Sequence, residues 1–515
     1  MYLSYLILAC TFFISYIHAS PSQLQTRSDI EECLTTNNVP YAVQGSTNWT
    51  ALSTPYNLRL VYVPAVITIP ETPDDVSASV TCAAAAGLKV QAKGGGHSYA
   101  SYSSGGQDGS LVIEMENFSS IEVDQTTFIA KVGAGQRLGN VAQAIYSQGQ
   151  RALPHGTCPG VGIAGHALHG GYGYASRKWG LALDHIVALD VVLANGTQIH
   201  ANSTSYPDIF YAMRGAGDSF GIATYFYLQT EAAPSSVLYV SASLASAVND
   251  ASLATSGFET LQNWTLTSPD LTANFTFNMY IDTSGTFTFT GWCMECDSTY
   301  FSSNVLPAML AGFPAGTAAG ASVQQVGWID ALTLVSNNDP LTEPLGSAYT
   351  YHDTFYAKSV VTREAQPLTS ASMSSFFTYM ISNRGQGPFF SIVDLYGGPG
   401  SAINVPSSDS SAYSDRDALW VFQNYGRTSN SEPPFDPAII GLIDGLNDAI
   451  TDPQPGGDFT AYLNYVDPDL NATTAAELYY GKETYDKLLG IKMDVDPSAL
   501  FWNPQSIGNA NASAV

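Results

Sequence analysis

The chain has 515 residues, 45% of them hydrophobic and 12% charged, which is enough apolar material for a large buried core and more than one domain, and is not the composition of a disordered chain. Its 44 acidic against 18 basic residues give a formal charge of −26. Such a charge repels phosphate backbones, arguing against nucleic acid and anionic membranes as partners and favouring neutral or weakly cationic substrates.

In chain order, the first segment is an apolar run without internal charge, Tyr5-Leu6-Ile7-Leu8-Ala9-Cys10-Thr11-Phe12-Phe13-Ile14, closing in the small residues around Ala19-Ser20. It reads as a signal peptide over residues 1–19, which makes the mature protein secreted and extracellular. A membrane anchor is the other reading, but the run lacks the flanking basic residues and the length of a stable span. Sequons at Asn48, Asn117, Asn195, Asn202, Asn263, Asn274, Asn471 and Asn511 agree with export.

From Leu58 to about Thr230, β-branched runs (Leu60–Val63, Leu111–Glu114, Ile186–Leu193) alternate with alanine-rich helical segments, one of them Leu138–Gln148. The pattern predicts α+β structure with mixed strands. Within it lie two glycine-rich stretches, Lys93-Gly94-Gly95-Gly96-His97-Ser98-Tyr99 and Gly156-Thr157-Cys158-Pro159-Gly160-Val161-Gly162, the second running on into His166-Ala167-Leu168-His169-Gly170-Gly171-Tyr172-Gly173. Glycines let main-chain N–H groups turn toward a ligand and approach it closely, while His97 and Cys158 stand where they can react. A covalently held cofactor fits this arrangement. Two alternatives stay open: tight turns alone, or a metal at His155, Cys158, His166 and His169. A metal leaves the acid-free glycine run unexplained.

After Ala233-Pro234 the texture changes to alternating runs such as Phe275–Tyr280, Thr286–Gly291 and Ser391–Gly398, which predict an antiparallel sheet with one wet face. The expected domains are 20–235 and 236–460, then a segment 461–508 returning to the first domain and a tail 509–515. Six cysteines become five when Cys10 leaves with the signal. A staple between Cys33 and Cys82 and a local closure of Cys293 on Cys296 would leave Cys158 without a partner, and attachment to a cofactor disposes of that thiol.

The ordered motifs carry a resemblance. The two loops, Arg177-Lys178-Trp179-Gly180-Leu181, Arg214-Gly215-Ala216-Gly217, Tyr462-Leu463-Asn464-Tyr465 and Asn503-Pro504-Gln505-Ser506-Ile507 are similar to those of flavin-linked oxidases of the vanillyl-alcohol oxidase fold. Within that fold the chain resembles the berberine bridge enzyme-like group, and within the group the fungal gluco- and chito-oligosaccharide oxidases. The resemblance implies a PCMH-type FAD-binding domain of two subdomains beside a substrate domain whose large antiparallel sheet is covered by helices. It implies FAD bound bicovalently, through His97 to the 8α carbon and through Cys158 to C6, with no metal. Further cofactor contacts carried over are Gly94, Gly95, Gly96, Ser98, Val161, Gly162, Gly165, His166, Gly170, Gly171, Tyr172, Gly173, Gly221, Ile222, Tyr462, Asn464 and Asn503. Val161 holds the position where valine accompanies oxidases and leucine dehydrogenases, so hydrogen peroxide is the expected product.

Oxidising a carbinol needs a base for the hydroxyl proton, and an ordinary tyrosine with a pKa near ~10 is too weak without help. The resemblance assigns the base to Tyr465 and the assisting carboxylate to Asp394. If residues 462–465 form a strand, Tyr462 and Asn464 point away from Tyr465. Tyr99 resembles the aromatic on which sugars stack. There are departures: Phe390 and Ile392 replace a tryptophan and a glutamine that grip the sugar, and Thr276 and Asn278 stand where a charged sugar-binding residue is expected. Candidate substrate contacts are therefore Tyr99, Phe390, Ile392 and Asn278, in a site poorer than its relatives at pairing sugar hydroxyls.

Three functions follow. The first is a secreted, monomeric FAD oxidase of CH–OH groups that reduces dioxygen to hydrogen peroxide, acting on the reducing end of an oligosaccharide to give a lactone and then an aldonic acid. The second keeps the chemistry but acts on an alcohol of a secondary metabolite, with or without ring closure. The third is a flavinylated binding protein without turnover.

Overall fold

The computed structural model of the protein describes residues 21–509; the expected signal peptide, Cys10 and the Asn511 sequon lie outside the described residues. A first, four-stranded sheet comprises β1 (Tyr41–Ala42), β2 (Val66–Thr68), β3 (Val90–Lys93) and β4 (Leu111–Glu114), in the order β1-β2-β4-β3 with β2, β4 and β3 parallel. The helix Pro73–Ala86 crosses between β2 and β3. It starts because Thr72 and Asp75 form a capping box, and it stops at Gly87, whose left-handed φ of 69° an L side chain resists. Cys33 is bonded to Cys82, tying the helix Pro21–Thr36 to this one, and Cys293 is bonded to Cys296.

The expected strand at Leu60–Val63 does not form. Val61 and Val63 turn outward, 58% and 45% exposed, and Pro64 supplies no N–H for a ladder, so pairing starts only at Val66. The helix expected to reach Gln148 spans Leu138–Ser147.

A second sheet takes in β5 (Ile121–Val123) and β6 (Ile129–Gly133) and, after the short β7 (Arg151–Ala152), β8 (Ile186–Val192), β9 (Gln198–Asn202) and β10 (Ile222–Gln229). Its order is β5-β6-β10-β8-β9, antiparallel throughout; β7 pairs with β11 (Glu231–Ala232). One hydrophobic core joins these two sheets, and the late helices Ala472–Tyr479 and Gly481–Val495 return to it through Ala476, Tyr479, Tyr485 and Leu488.

The third sheet has seven antiparallel strands, β12 (Val237–Ser243), β13 (Phe275–Asp282), β14 (Phe287–Met294), β15 (Ser322–Val326), β16 (Phe355–Arg363), β17 (Phe389–Leu395) and β18 (Ala418–Arg427), in the order β15-β12-β14-β13-β17-β18-β16. Alternation divides its side chains. Phe277, Met279, Val393 and Phe422 enter a second core with the helices Ala251–Thr267, Ser370–Ser382 and Ala438–Thr451, while Val361 and Val421 on the other face join the first core.

Arg177 crosses between the two cores. Wholly buried, it donates to the carbonyls of Gly397 at 2.9 Å, Thr272 at 2.9 Å, Pro399 at 2.8 Å and, more closely, Phe275. Burial lowers its pKa to about 10. Among the described residues no helix is long and apolar enough to cross a membrane. Asn48, Asn117, Asn195, Asn263 and Asn471 are exposed; Asn202 and Asn274 are half-buried.

Candidate active site

The two glycine loops touch backbone to backbone. A Cβ added at Gly95 would lie 2.5 Å from Gly162 Cα, so neither position admits a side chain. Arg137, 2% exposed, locks the contact: its Nη1 donates to Gly95 O at 2.9 Å and to Gly160 O, while its Nε donates to Pro344 O at 2.8 Å. Before the first loop, buried Lys93 pairs with Glu114 at 3.0 Å and donates to Leu52 O, fixing the end of β3.

The loops present His97 and Cys158 to one space. His97 stacks on Tyr56, ring centroids 4.1 Å apart, and its Nε2 lies 2.8 Å from Tyr349 Oη. Burial, reinforced by Arg137 and His352, lowers its pKa to about 3, so the imidazole is neutral and nucleophilic. Cys158 is the one free cysteine among the described residues. It is exposed, and desolvation raises its thiol pKa. Its charge would be felt by Tyr56, Tyr99, Tyr349, Tyr351 and Tyr465, a ring of tyrosines around both reactive groups.

The surrounding chain fits a flat, extended cofactor. A Cβ at Gly165 would meet nothing within 4 Å, leaving open space above the helix Ile163–Leu168. Tyr462 Oη accepts from Gly171 N and from Asn464 Nδ2, both at 2.8 Å, and Asn464 also donates to His166 O at 3.1 Å. His166 Nε2 in turn accepts from Gly156 N at 3.0 Å, and Gly170 backs onto the Tyr462 ring. Half-buried Val161 donates to Cys158 O and its own carbonyl accepts from Leu138 N, closing the turn that presents the thiol. Gly94 packs on Ala164, Ser98 Oγ accepts from Tyr102 N, and Gly173 N donates to Ser176 Oγ. The buried rings of Tyr172 and Tyr396 stack 3.9 Å apart. Gly221 lies against Val191 where β10 begins at Ile222, and Asn503 Nδ2 donates to Asp218 Oδ2 at 2.7 Å, with His169 3.4 Å from the other oxygen. His155, His166 and His169 thus have separate partners, and the described residues contain no group of three metal-ligating side chains.

Residues 462–465 are not a strand. Tyr462 is extended and Leu463–Tyr465 make one 3₁₀ turn closed by Tyr465 N to Tyr462 O at 2.9 Å. The turn brings Tyr462 and Tyr465 together, rings perpendicular at 5.0 Å, instead of sending them to opposite faces. Tyr99 lies over Tyr465 at 5.8 Å, nearly parallel, and its Oη accepts from Gln423 Nε2 at 2.7 Å. Asp394, on β17, is 5% exposed, accepts from Asn278 Nδ2 at 3.2 Å and has its pKa raised to about 7 by burial, the asparagine bond opposing the rise. Burial and then the charge of Asp394 hold Tyr465 well above the ordinary phenol range.

The antiparallel register sets Asn278 opposite Asp394, Tyr280 opposite Ile392, and Ile392 and Phe390 opposite Gln423 and Tyr425. All share the face away from the helices. The rings run on from Tyr280 to Phe390 (5.4 Å), Tyr425 (4.9 Å) and Phe355 (4.3 Å), and Phe355 meets Tyr99 edge-on at 4.9 Å. Sequence reasoning missed Gln423 and Tyr425, which the period-two pattern of β18 could have placed beside Ile392 and Phe390. It also missed Arg137, Tyr56 and Tyr349, for which no local signal exists.

A family profile described as FAD binding domain matches residues 64–202, and one described as berberine and berberine like matches residues 461–508. The chain is 36% identical over 498 residues to the xylooligosaccharide oxidase of Thermothelomyces thermophilus, covering 95% of this chain and 96% of that protein. It is 35% identical over 503 residues to the chitooligosaccharide oxidase of Gibberella zeae, covering 96% of each. A solved structure of the glucooligosaccharide oxidase of Acremonium strictum, whose FAD is 6-S-cysteinyl and 8α-N1-histidyl, superposes with a TM-score of 0.86 at 30% identity over 94% of this chain and 100% of that one. The chain belongs to the berberine bridge enzyme-like family of FAD-linked oxidases.

Proposed function

We propose that this protein is an exported, monomeric oxidase that holds FAD through both His97 and Cys158, oxidises a CH–OH group to a carbonyl and reduces dioxygen to hydrogen peroxide, with the reducing end of an oligosaccharide as substrate. The observation that carries the reading is that the two glycine loops meet backbone to backbone while Tyr99, two residues from His97, stacks on Tyr465, which feels the charges of both Asp394 and Cys158, with the relatives acting on oligosaccharides in support. The FAD supplies the acceptor for hydride from the substrate carbon and the route of its electrons to dioxygen.

The chain supplies position and a place for the proton. Tyr465 Oη takes the substrate hydroxyl proton as it releases its own toward Asp394, whose proton affinity near neutrality suits a base that must be ionised before each turnover and protonated during it. Asn278 holds the carboxylate, and Gln423 holds Tyr99 over Tyr465, where its ring also suits the apolar face of a pyranose. Gly94–Gly96, Ser98, Gly162, Gly165, His166, Gly170–Gly173, Gly221, Ile222, Tyr462, Asn464 and Asn503 line the cofactor. Val161 leaves dioxygen a path to it. The disulfides and exposed sequons support export.

A second reading is favoured by the half-buried Tyr280, Phe390 and Ile392, an apolar floor where a sugar needs partners for its hydroxyls: the substrate is then an alcohol on an apolar metabolite. Peroxide release measured across xylo-, chito- and gluco-oligosaccharides and aryl and alkyl alcohols divides the two. Silence on every sugar at millimolar concentration would remove the first, and silence on every substrate would leave a flavinylated binding protein.

A further inference from the structure

Residues 342–349 cross from the second half of the chain onto the first. Glu343 N donates to Asn140 Oδ1 and Glu343 O accepts from Asn140 Nδ2, both at 2.9 Å, Pro344 O accepts from Arg137, and Ser347 N donates to Glu116 Oε2 at 3.0 Å. This arm delivers Tyr349 to the junction of the two glycine loops. The Arg137 guanidinium lies 3.7 Å from its ring centroid, and the ring occupies the space above Gly160, where a Cβ would come within 2.8 Å of Tyr349 Cζ. Its Oη is fixed 2.8 Å from His97 Nε2, while Tyr56 stacked on the imidazole sets the plane of the ring.

A neutral imidazole has one nitrogen with a proton and one with a lone pair, and the hydrogen bond at one decides the tautomer. Among the described residues His97 Nδ1 has no hydrogen-bond partner. On the FAD reading above, we propose that Tyr349 is a positioning residue for flavin attachment: its oxygen accepts the Nε2–H of His97, which leaves the lone pair on Nδ1, free to bond the 8α carbon. As the Nδ1–C bond forms, a C–H bond at 8α breaks and its proton leaves to solvent. The two electrons released stay on the flavin ring and pass to dioxygen, the oxidant the proposed reaction already uses. The imidazole gains positive charge, and the Nε2–H to Tyr349 bond strengthens with it. Because Tyr349 arrives on the arm, the histidyl bond forms only after both halves of the chain have docked.

The test is peptide mass spectrometry of protein harvested at intervals after synthesis, scoring FAD on the His97 and Cys158 peptides separately. Tyr349→Phe keeps the ring over Arg137 and removes the acceptor. It is expected to slow the His97 linkage about tenfold, the factor a lost charge-assisted hydrogen bond implies, while the Cys158 linkage proceeds as in wild type. In a Cys158→Ala background the same change leaves FAD that denaturation releases at early harvest times and that becomes attached about tenfold more slowly than in Cys158→Ala alone. Tyr349→fluorotyrosine, which keeps the shape and weakens the oxygen as an acceptor, gives an intermediate rate and does not depend on the fold tolerating phenylalanine. The His97 linkage at wild-type rate in both variants, or equal loss of both linkages, overturns the proposal. Wild-type protein with no attached flavin overturns the FAD reading and this proposal with it.

Discussion

Asp394→Asn should make the protein more stable and far less active, with the gain in stability growing with pH. The carboxyl is buried at 5% exposure, and burial raises its pKa from the ordinary 3.8 to about 7. Between those values the folded chain holds a proton that the unfolded chain has released, so stability falls as pH rises and levels off above about 7. At about 1.4 kcal/mol per unit, ionising this one group costs the folded state about 4 kcal/mol at pH 8 relative to pH 4. An asparagine keeps an oxygen for Asn278 Nδ2 and never ionises. Denaturant unfolding of both proteins from pH 4 to pH 8 should give a mutant-minus-wild-type difference near zero at the acid end, climbing toward about 4 kcal/mol at the other. Stopped-flow reduction by substrate should slow about a hundredfold or more, with the wild-type rate rising through about pH 7 and the mutant rate flat there. A stability difference independent of pH, or one that grows toward acid, refutes the assignment of a buried, reluctant carboxylate.

Tyr465→Phe should keep bicovalent FAD and slow the same reductive step about a hundredfold, read by stopped-flow bleaching of the flavin. Arg177→Met removes the donor from four carbonyls, two of them buried, and should cost about 3 kcal/mol in denaturant unfolding; Arg177→Lys should recover only part, since an ammonium cannot reach all four. Replacing both Cys33 and Cys82 by alanine opens a link between residues 49 apart, and should lower stability by about 4 kcal/mol if the link acts by restricting the unfolded chain.

What the sequence disclosed about the site followed from spacing. His97 and Cys158 were legible because each stands inside its own run of glycines, a local pattern with a local cause. Arg137 was not, because the carbonyls it clamps belong to residues 42, 23 and 207 positions away. The register of Asn278 on Asp394 spans 116 positions, and no alternation within either strand reports it. Residues 462–465 misled for a related reason. Their alternation reads as a strand, but the bonds that shape them run to Gly171 and His166, and those tertiary partners favour a turn. Leu60–Val63 carried its own warning in Pro64, which β-branched neighbours outweighed.

The two faces of β13, β17 and β18 answer to different demands. Phe277, Met279, Val393 and Phe422 must fit the helices beneath, where one methylene gained or lost is felt. Asn278, Tyr280, Phe390 and Ile392, interleaved with them one residue apart, lie half-buried on the opposite face instead. A lineage can therefore rewrite these four half-buried positions and change what it oxidises while the packing against the helices is kept, which makes this sheet a ready substrate for directed evolution by saturating those four positions together.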